Sequence, residues 1–106
     1  MTIRVSTEAH LELQAIWAYN AIHRSEAEAD AYLAFLSAGI DNLAEDYVFA
    51  KRVEGHSELF ALALKKRSRS DGHIIVFTVD AAQEIIEVVR IYHSKMDMQR
   101  RLREDL

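Results

Sequence analysis

Arg90, Tyr92 and His93 stand within four positions, directly after the strand-like run IIEVV and directly before a charged tail. Lys65, Lys66, Arg67 and Arg69 crowd a second short stretch, KKRSRSDG at 65–72. Cleavage of RNA through an attacking 2′-hydroxyl needs a base, an acid and cations to hold charge developing on phosphorus, and His, Tyr, Arg and Lys can fill those roles. Side chains alternate along a strand, so Arg90 and Tyr92 share one face while His93 points to the other. The competing reading is structural: Arg90 pairs with Glu58 or Glu87, Tyr92 packs on a sheet, and His93 caps a backbone carbonyl.

Other chemistries find little support. Gly39, Gly55 and Gly72 lie far apart, so there is no glycine-rich phosphate loop. His10, His23, His56, His73 and His93 are scattered, without a His pair at i, i+4 around a glutamate, and no metal site or cofactor is expected. The chain has no cysteine, which removes thiolate chemistry and disulfides and fits a reducing cytoplasm. No signal-like N-terminus or long apolar run occurs, so a cytoplasmic protein without a membrane span is expected.

The elements that must position these residues read from periodicity. With 106 residues, one domain spanning 1–106 is expected. Ile3 to Ser6 form a short strand, and Ser6 or Thr7 can cap a helix in which Ala9, Leu13, Ile16, Trp17 and Asn20 recur on one face, Trp17 being its largest buried element. Ser25 with Glu28 forms a capping box for a second helix whose stripe runs from Ala29 through Leu36 and Ile40 to Tyr47. The short link makes the two an antiparallel hairpin.

After residue 50 the period shortens. Residues 59–64 read as a strand, 65–72 as a loop ending in Asp-Gly, and 73–79 and 84–93 as a β-hairpin. A last helix is expected from Ser94, with Asp97 completing a capping box. The fold class is α+β: N-terminal strand, helical hairpin, three-stranded antiparallel meander, C-terminal helix.

Charge is uneven. Residues 1–50 carry two basic and eight acidic side chains, 51–72 carry six and three, and 73–106 carry five and six. One basic segment sits on an acidic body whose formal net charge is -4.

Taken together, LELQAIWAYN, IDNLAEDY, HIIVFTVD and EIIEVVRIYHSKMD resemble the ParE branch of the RelE/ParE toxin superfamily of bacterial toxin–antitoxin systems. Leu13, Ile16, Trp17, Tyr19, Leu43, Ala44, Arg90, His93, Met96 and Asp97 stand at matching positions. The chain departs from the pattern in having no proline, in carrying Phe77 where tyrosine is common, and in its unmatched segment 48–58.

The resemblance implies the toxin of a type II plasmid-stabilisation or addiction system. Such a toxin inhibits growth by contact with DNA gyrase, is not an enzyme, and is neutralised by a cognate antitoxin. RelE-like relatives are instead ribosome-dependent mRNA endoribonucleases, for which Arg90, Tyr92 and His93 would be the catalytic set. A third alternative is a non-toxic interaction module on the same fold.

A protein that docks into ribosomal RNA is expected to be strongly basic, whereas this chain has a pI near 5.7. Direct nucleic-acid binding is therefore not expected. Lys65, Lys66, Arg67 and Arg69 become candidates for binding the antitoxin or target. Trp17, Arg90, His93, Met96 and Asp97 become a structural junction, with Asp97 pairing with Arg90 or His93.

Overall fold

In the computed structural model, which describes residues 1–67 and 71–106, a mixed five-stranded sheet is built in the order β1-β5-β4-β3-β2. The strands are β1 (Thr2–Val5), β2 (Lys51–Arg52), β3 (Phe60–Leu64), β4 (His73–Asp80) and β5 (Ile85–His93). β3, β4 and β5 form the expected antiparallel meander, and β1 adds to it in parallel, with Thr2 opposite Ile85 and Val5 opposite Val88. The two-residue β2, not expected from sequence, pairs only with Phe60 and Ala61, so residues 62–64 of β3 extend past it.

Alternating side chains send the two faces of the sheet into separate cores. Ile75, Phe77, Ile86, Val88 and Ile91 pack under helices α1 (Thr7–His23) and α2 (Glu26–Asp41). Val76 and Tyr92 pack with Val53, Leu59 and Leu102, the last from helix α4 (Met98–Asp105). Ala9 is the one fully buried residue of α1, and its small side chain lets the helix lie close to the sheet. Trp17 does not occupy that core. It is half-buried at the rim, where Nε1 donates to Asp30 at 2.8 Å.

Two helix boundaries differ from the periodic reading. The second helix does not run unbroken to Tyr47: it ends at Asp41, and after Asn42 come the single turn α3 (Leu43–Asp46) and a 3₁₀ turn (Tyr47–Phe49). Asn42 carbonyl accepts from both Glu45 and Asp46 N–H groups, and this break keeps Leu43 and Tyr47 on the core beneath the hairpin. The last helix starts at Met98, with Asp97 as its cap accepting from Arg100 N–H at 3.2 Å. Ser94 cannot cap it because its side chain already accepts from Gly72 N–H and its own N–H donates to Gly72 carbonyl.

The β4–β5 hairpin also carries two irregularities. Glu84 adopts a left-handed φ of 56°, so β5 begins one residue later than periodicity suggests. The register then slips between Val76 and Phe77: Phe77 opposes Val88 while Val76 opposes Arg90, which makes Val89 the extra residue of a β-bulge. Ser6 uses this bulge. Its hydroxyl donates to Val89 carbonyl at 3.0 Å and accepts from Ala9 N–H, so one side chain caps α1 and satisfies the bulged backbone.

Gly39 lies in the interior of α2, where a Cβ would meet the Leu64 methyl Cδ1 at 2.5 Å. A terminal methyl can rotate away, and alanine favours the helix by roughly 1 kcal/mol over glycine. Gly39→Ala is therefore expected to change stability by less than about 1 kcal/mol in urea unfolding. A loss well beyond that would mean Leu64 is pinned.

Candidate functional site

Arg90 and Tyr92 share the α4 side of the sheet, to which the bulge at Val89 turns them, and a polar network joins them to α1 and α4. Arg90 Nη1 lies 3.8 Å from Glu12 Oε2 and 3.9 Å from Asp105 Oδ2, not against Glu58 or Glu87. Glu12 Oε1 accepts from Ile91 N–H at 2.9 Å, and Tyr92 hydroxyl donates to Asp105 Oδ2 at 2.8 Å. One guanidinium thus sits at ion-pair distance from a carboxylate on each of two helices that pack on opposite faces. Burial raises the Glu12 carboxyl above its ordinary range, against the hydrogen bond from Ile91 and the charge of Arg90, which lower it.

This arrangement leaves Tyr92 unsuited to proton transfer near neutrality. Its side chain is 1% exposed. Burial, the hydrogen bond to Asp105 and that carboxylate's charge all push the phenol well above its usual value. The hydroxyl is held protonated and committed to an intramolecular acceptor.

His93 lies on the opposite face, beneath the helical hairpin, in a different group. Its ring meets His73 edge-on with centroids 5.2 Å apart, and His73 Nδ1 is hydrogen-bonded to Tyr32 hydroxyl at 2.6 Å. His93 Nδ1 accepts from Lys95 N–H rather than the ring capping a carbonyl. The neighbouring turn is closed by Lys95 and Asp71, 3.3 Å apart and largely exposed. The three residues grouped by sequence as a catalytic set are therefore split between two faces of the sheet, with Arg90 and Tyr92 held in a network that excludes His93.

Burial and the nearby His93 lower His73 from 6.5 to about 4. In the unfolded chain this imidazole takes a proton near 6.5, while in the fold it resists until about 4. Its contribution is fully present above 6.5 and is lost as pH falls toward 4. Partial solvent exposure screens the effect, so a loss of about 1–2 kcal/mol is expected. Urea midpoints measured between pH 7.5 and 4.5 check this: His73→Gln should flatten the slope, and an unchanged slope would remove His73 as its cause.

Lys65, Lys66 and Arg67 are exposed directly after β3, with residues 62–64 between them and the Phe60 and Ala61 that Arg52 and Lys51 oppose. Arg52 lies over the Phe60 ring at 5.5 Å. Arg69 falls outside the described residues. Met96 is exposed and Asp97 is occupied as a helix cap, reaching neither Arg90 nor His93; Trp17 lines an open groove with Leu13 and Leu33 on the outer side of the hairpin. Among the described residues no cluster of His, Cys, Asp and Glu could hold a metal ion, and no helix is long and apolar enough to cross a membrane.

Residues 3–98 match the family of the ParE toxin of type II toxin–antitoxin system, parDE. The chain belongs to the ParE toxin family. A chain in the solved chromosomal ParDE TA system from P. aeruginosa is 17% identical, with a TM-score of 0.74 over 90% of this chain and 97% of its own. A chain of the archaeal RelE-RelB complex from Pyrococcus horikoshii OT3 is 11% identical, with a TM-score of 0.56 over 89% and 94%. At these identities the two structures show a shared fold. No curated protein matches the sequence.

Sequence reasoning missed Glu12, Asp105, Tyr32 and His73. Glu12 gives a weak signal as a carboxylate on the flank of an otherwise apolar helix stripe. Asp105 gives none, because only tertiary packing brings α4 across the sheet to Tyr92. His73 begins one hairpin strand as His93 ends the other, and that symmetry about the turn was the available clue.

Proposed function

We propose that this ParE family member inhibits growth by protein contact with DNA gyrase in the cytoplasm, and that a cognate antitoxin keeps it inactive. Residues 1–106 act as one toxin unit in this reading. The observation that carries it is the commitment of Arg90 and Tyr92 to Glu12 and Asp105, which leaves the strand end organising the fold. The acidic balance of the chain supports the same reading, since docking on ribosomal RNA draws affinity from neutralised phosphates.

Induced expression of the chain alone, with DNA and protein synthesis followed by pulse labelling over the first minutes, tests the target. An early fall in DNA synthesis with translation still running is expected. An early fall in translation would favour the RelE-like nuclease, and harmless expression would favour a non-toxic module.

For the antitoxin, Lys51 and Arg52 on β2 and Lys65, Lys66 and Arg67 after β3 flank the stretch 62–64 of β3 that β2 does not cover. An extended segment carrying acidic and apolar side chains is the partner that this edge suits. Replacing Lys65, Lys66 and Arg67 together by glutamate is expected to raise the dissociation rate of the complex about tenfold or more. Surface plasmon resonance at two salt concentrations measures this, and an unchanged rate would reject the edge as the docking surface.

A further inference from the structure

The face of α1 that points away from the sheet carries a pattern that neither core uses. Leu11, Ala15, Ala18 and Ile22 are all exposed, with Leu11 at 58% and Ile22 at 78%, and Tyr19 beside them is 64% exposed. Their spacing of four, three and four residues is the seam spacing of a helix that packs on another helix. They lie opposite Ala9, Leu13 and Ile16, the residues that pack toward the sheet. A lone exposed leucine needs no explanation, but an uncharged seam running most of the length of an exposed helix does.

The order large, small, small, large reads the same in either direction. Turning a second α1 end for end about a two-fold axis between Ala15 and Ala18 sets Leu11 against Ile22 of the other copy and Ala15 against Ala18. The central alanines let the two helix axes approach closely, while the larger residues close both ends of the contact. Polar groups follow the same symmetry. Glu8 flanks the seam near its N-terminal end, and on the same flank near the C-terminal end the His23 ring meets Tyr19 at a tilt, with centroids 4.2 Å apart. Antiparallel pairing brings the Glu8 carboxylate of each copy near the His23 ring of the other, which can donate a hydrogen bond to it, and opposes the two helix dipoles favourably. A parallel pair would instead bring both Glu8 residues to the same level and align the two helix dipoles unfavourably.

We propose that this face of α1 is a self-association surface, on which a second copy of the chain docks antiparallel through Leu11, Ala15, Ala18 and Ile22. The contact is isologous and closes on itself, so it yields a dimer rather than a fibre. It lies on the outer side of the helical hairpin, apart from the basic β2–β3 edge, and does not depend on which target the toxin inhibits.

The absence of native cysteine makes a cross-linking test clean. Leu11→Cys and Ile22→Cys chains, mixed in equal amounts and oxidised with diamide, are expected to form a mixed disulfide dimer. Each variant alone should cross-link about tenfold less, because in the antiparallel pair identical positions sit about 16 Å apart along the axis, at roughly 1.5 Å per residue. Sedimentation equilibrium of the unmodified chain at about 100 μM should show dimer, and Ala18→Glu should weaken it at least about tenfold while the thermal midpoint of the fold stays unchanged.

Leu11→Cys cross-linking to itself would mean parallel pairing and would overturn the proposal. So would a chain that stays monomeric at that concentration, or a dimer indifferent to Ala18→Glu.

Discussion

Tyr92→Ala is expected to lower unfolding stability by about 3–5 kcal/mol, the range for removing a buried aromatic side chain from a core. The ring is in contact with the cluster of Val53, Leu59, Val76 and Leu102, and its hydroxyl is what attaches β5 to Asp105 on α4. A domain of this size has about 5–15 kcal/mol in total, so the variant should unfold at markedly lower urea and its last helix should detach first. Tyr92→Phe keeps the packing and loses only the hydrogen bond, for an expected cost of about 1–2 kcal/mol. The pair of variants separates two roles for this tyrosine. If it served RNA cleavage, the phenylalanine variant would be stable and inactive. If it holds α4, the phenylalanine variant stays active and the alanine variant fails to fold well. A Tyr92→Ala protein with the parental urea midpoint would rule out the structural role.

Gly72→Ala is expected to cost about 3 kcal/mol, in contrast to the tolerated change at Gly39. A Cβ at Gly72 would fall 2.2 Å from the carbonyl oxygen of Leu64 and 3.0 Å from its carbon. These are backbone atoms of β3, fixed by the pairing of Leu64 with His73, and they cannot swing aside as the Leu64 methyl can. Relief requires β3 and β4 to part at that end, which also strains the two hydrogen bonds between Gly72 and Ser94. Because those bonds hold the turn that carries His93 and Lys95, amide exchange in residues 72–74 and 92–95 should speed up together. Normal stability of Gly72→Ala would show that this end of the sheet yields more easily than its contacts suggest.

Much of the architecture was legible locally. The helical hairpin followed from the apolar spacing of α1 and α2 and from Ser25, whose hydroxyl accepts from Glu28 N–H at 3.1 Å. The meander followed from β-branched runs and a short link, and strand alternation placed Arg90 and Tyr92 together and His93 apart. These features rest on interactions within a few residues, which is why periodicity and turn chemistry reveal them.

The positions of α4, of β1 and of the partners of Arg90 depended on contacts distant in sequence. Ser94 looked like a helix cap because its spacing to Asp97 fits one, yet Gly72, 22 positions earlier, engages its side chain first. The β-bulge decided more. By the turn alone, His73 would stand opposite Tyr92; the extra residue at Val89 moves His93 into that place and sets Ile74 opposite Tyr92. One inserted residue thus gives the hairpin-facing side its paired imidazoles and sends the tyrosine to Asp105 on the other side.

The sequence by itself determined which side chains alternate and where the chain turns, because those follow from backbone geometry over a few residues. Only the tertiary structure decided which groups meet. Sheet register and the docking of α4 are settled by burial and by satisfying backbone groups across the whole fold.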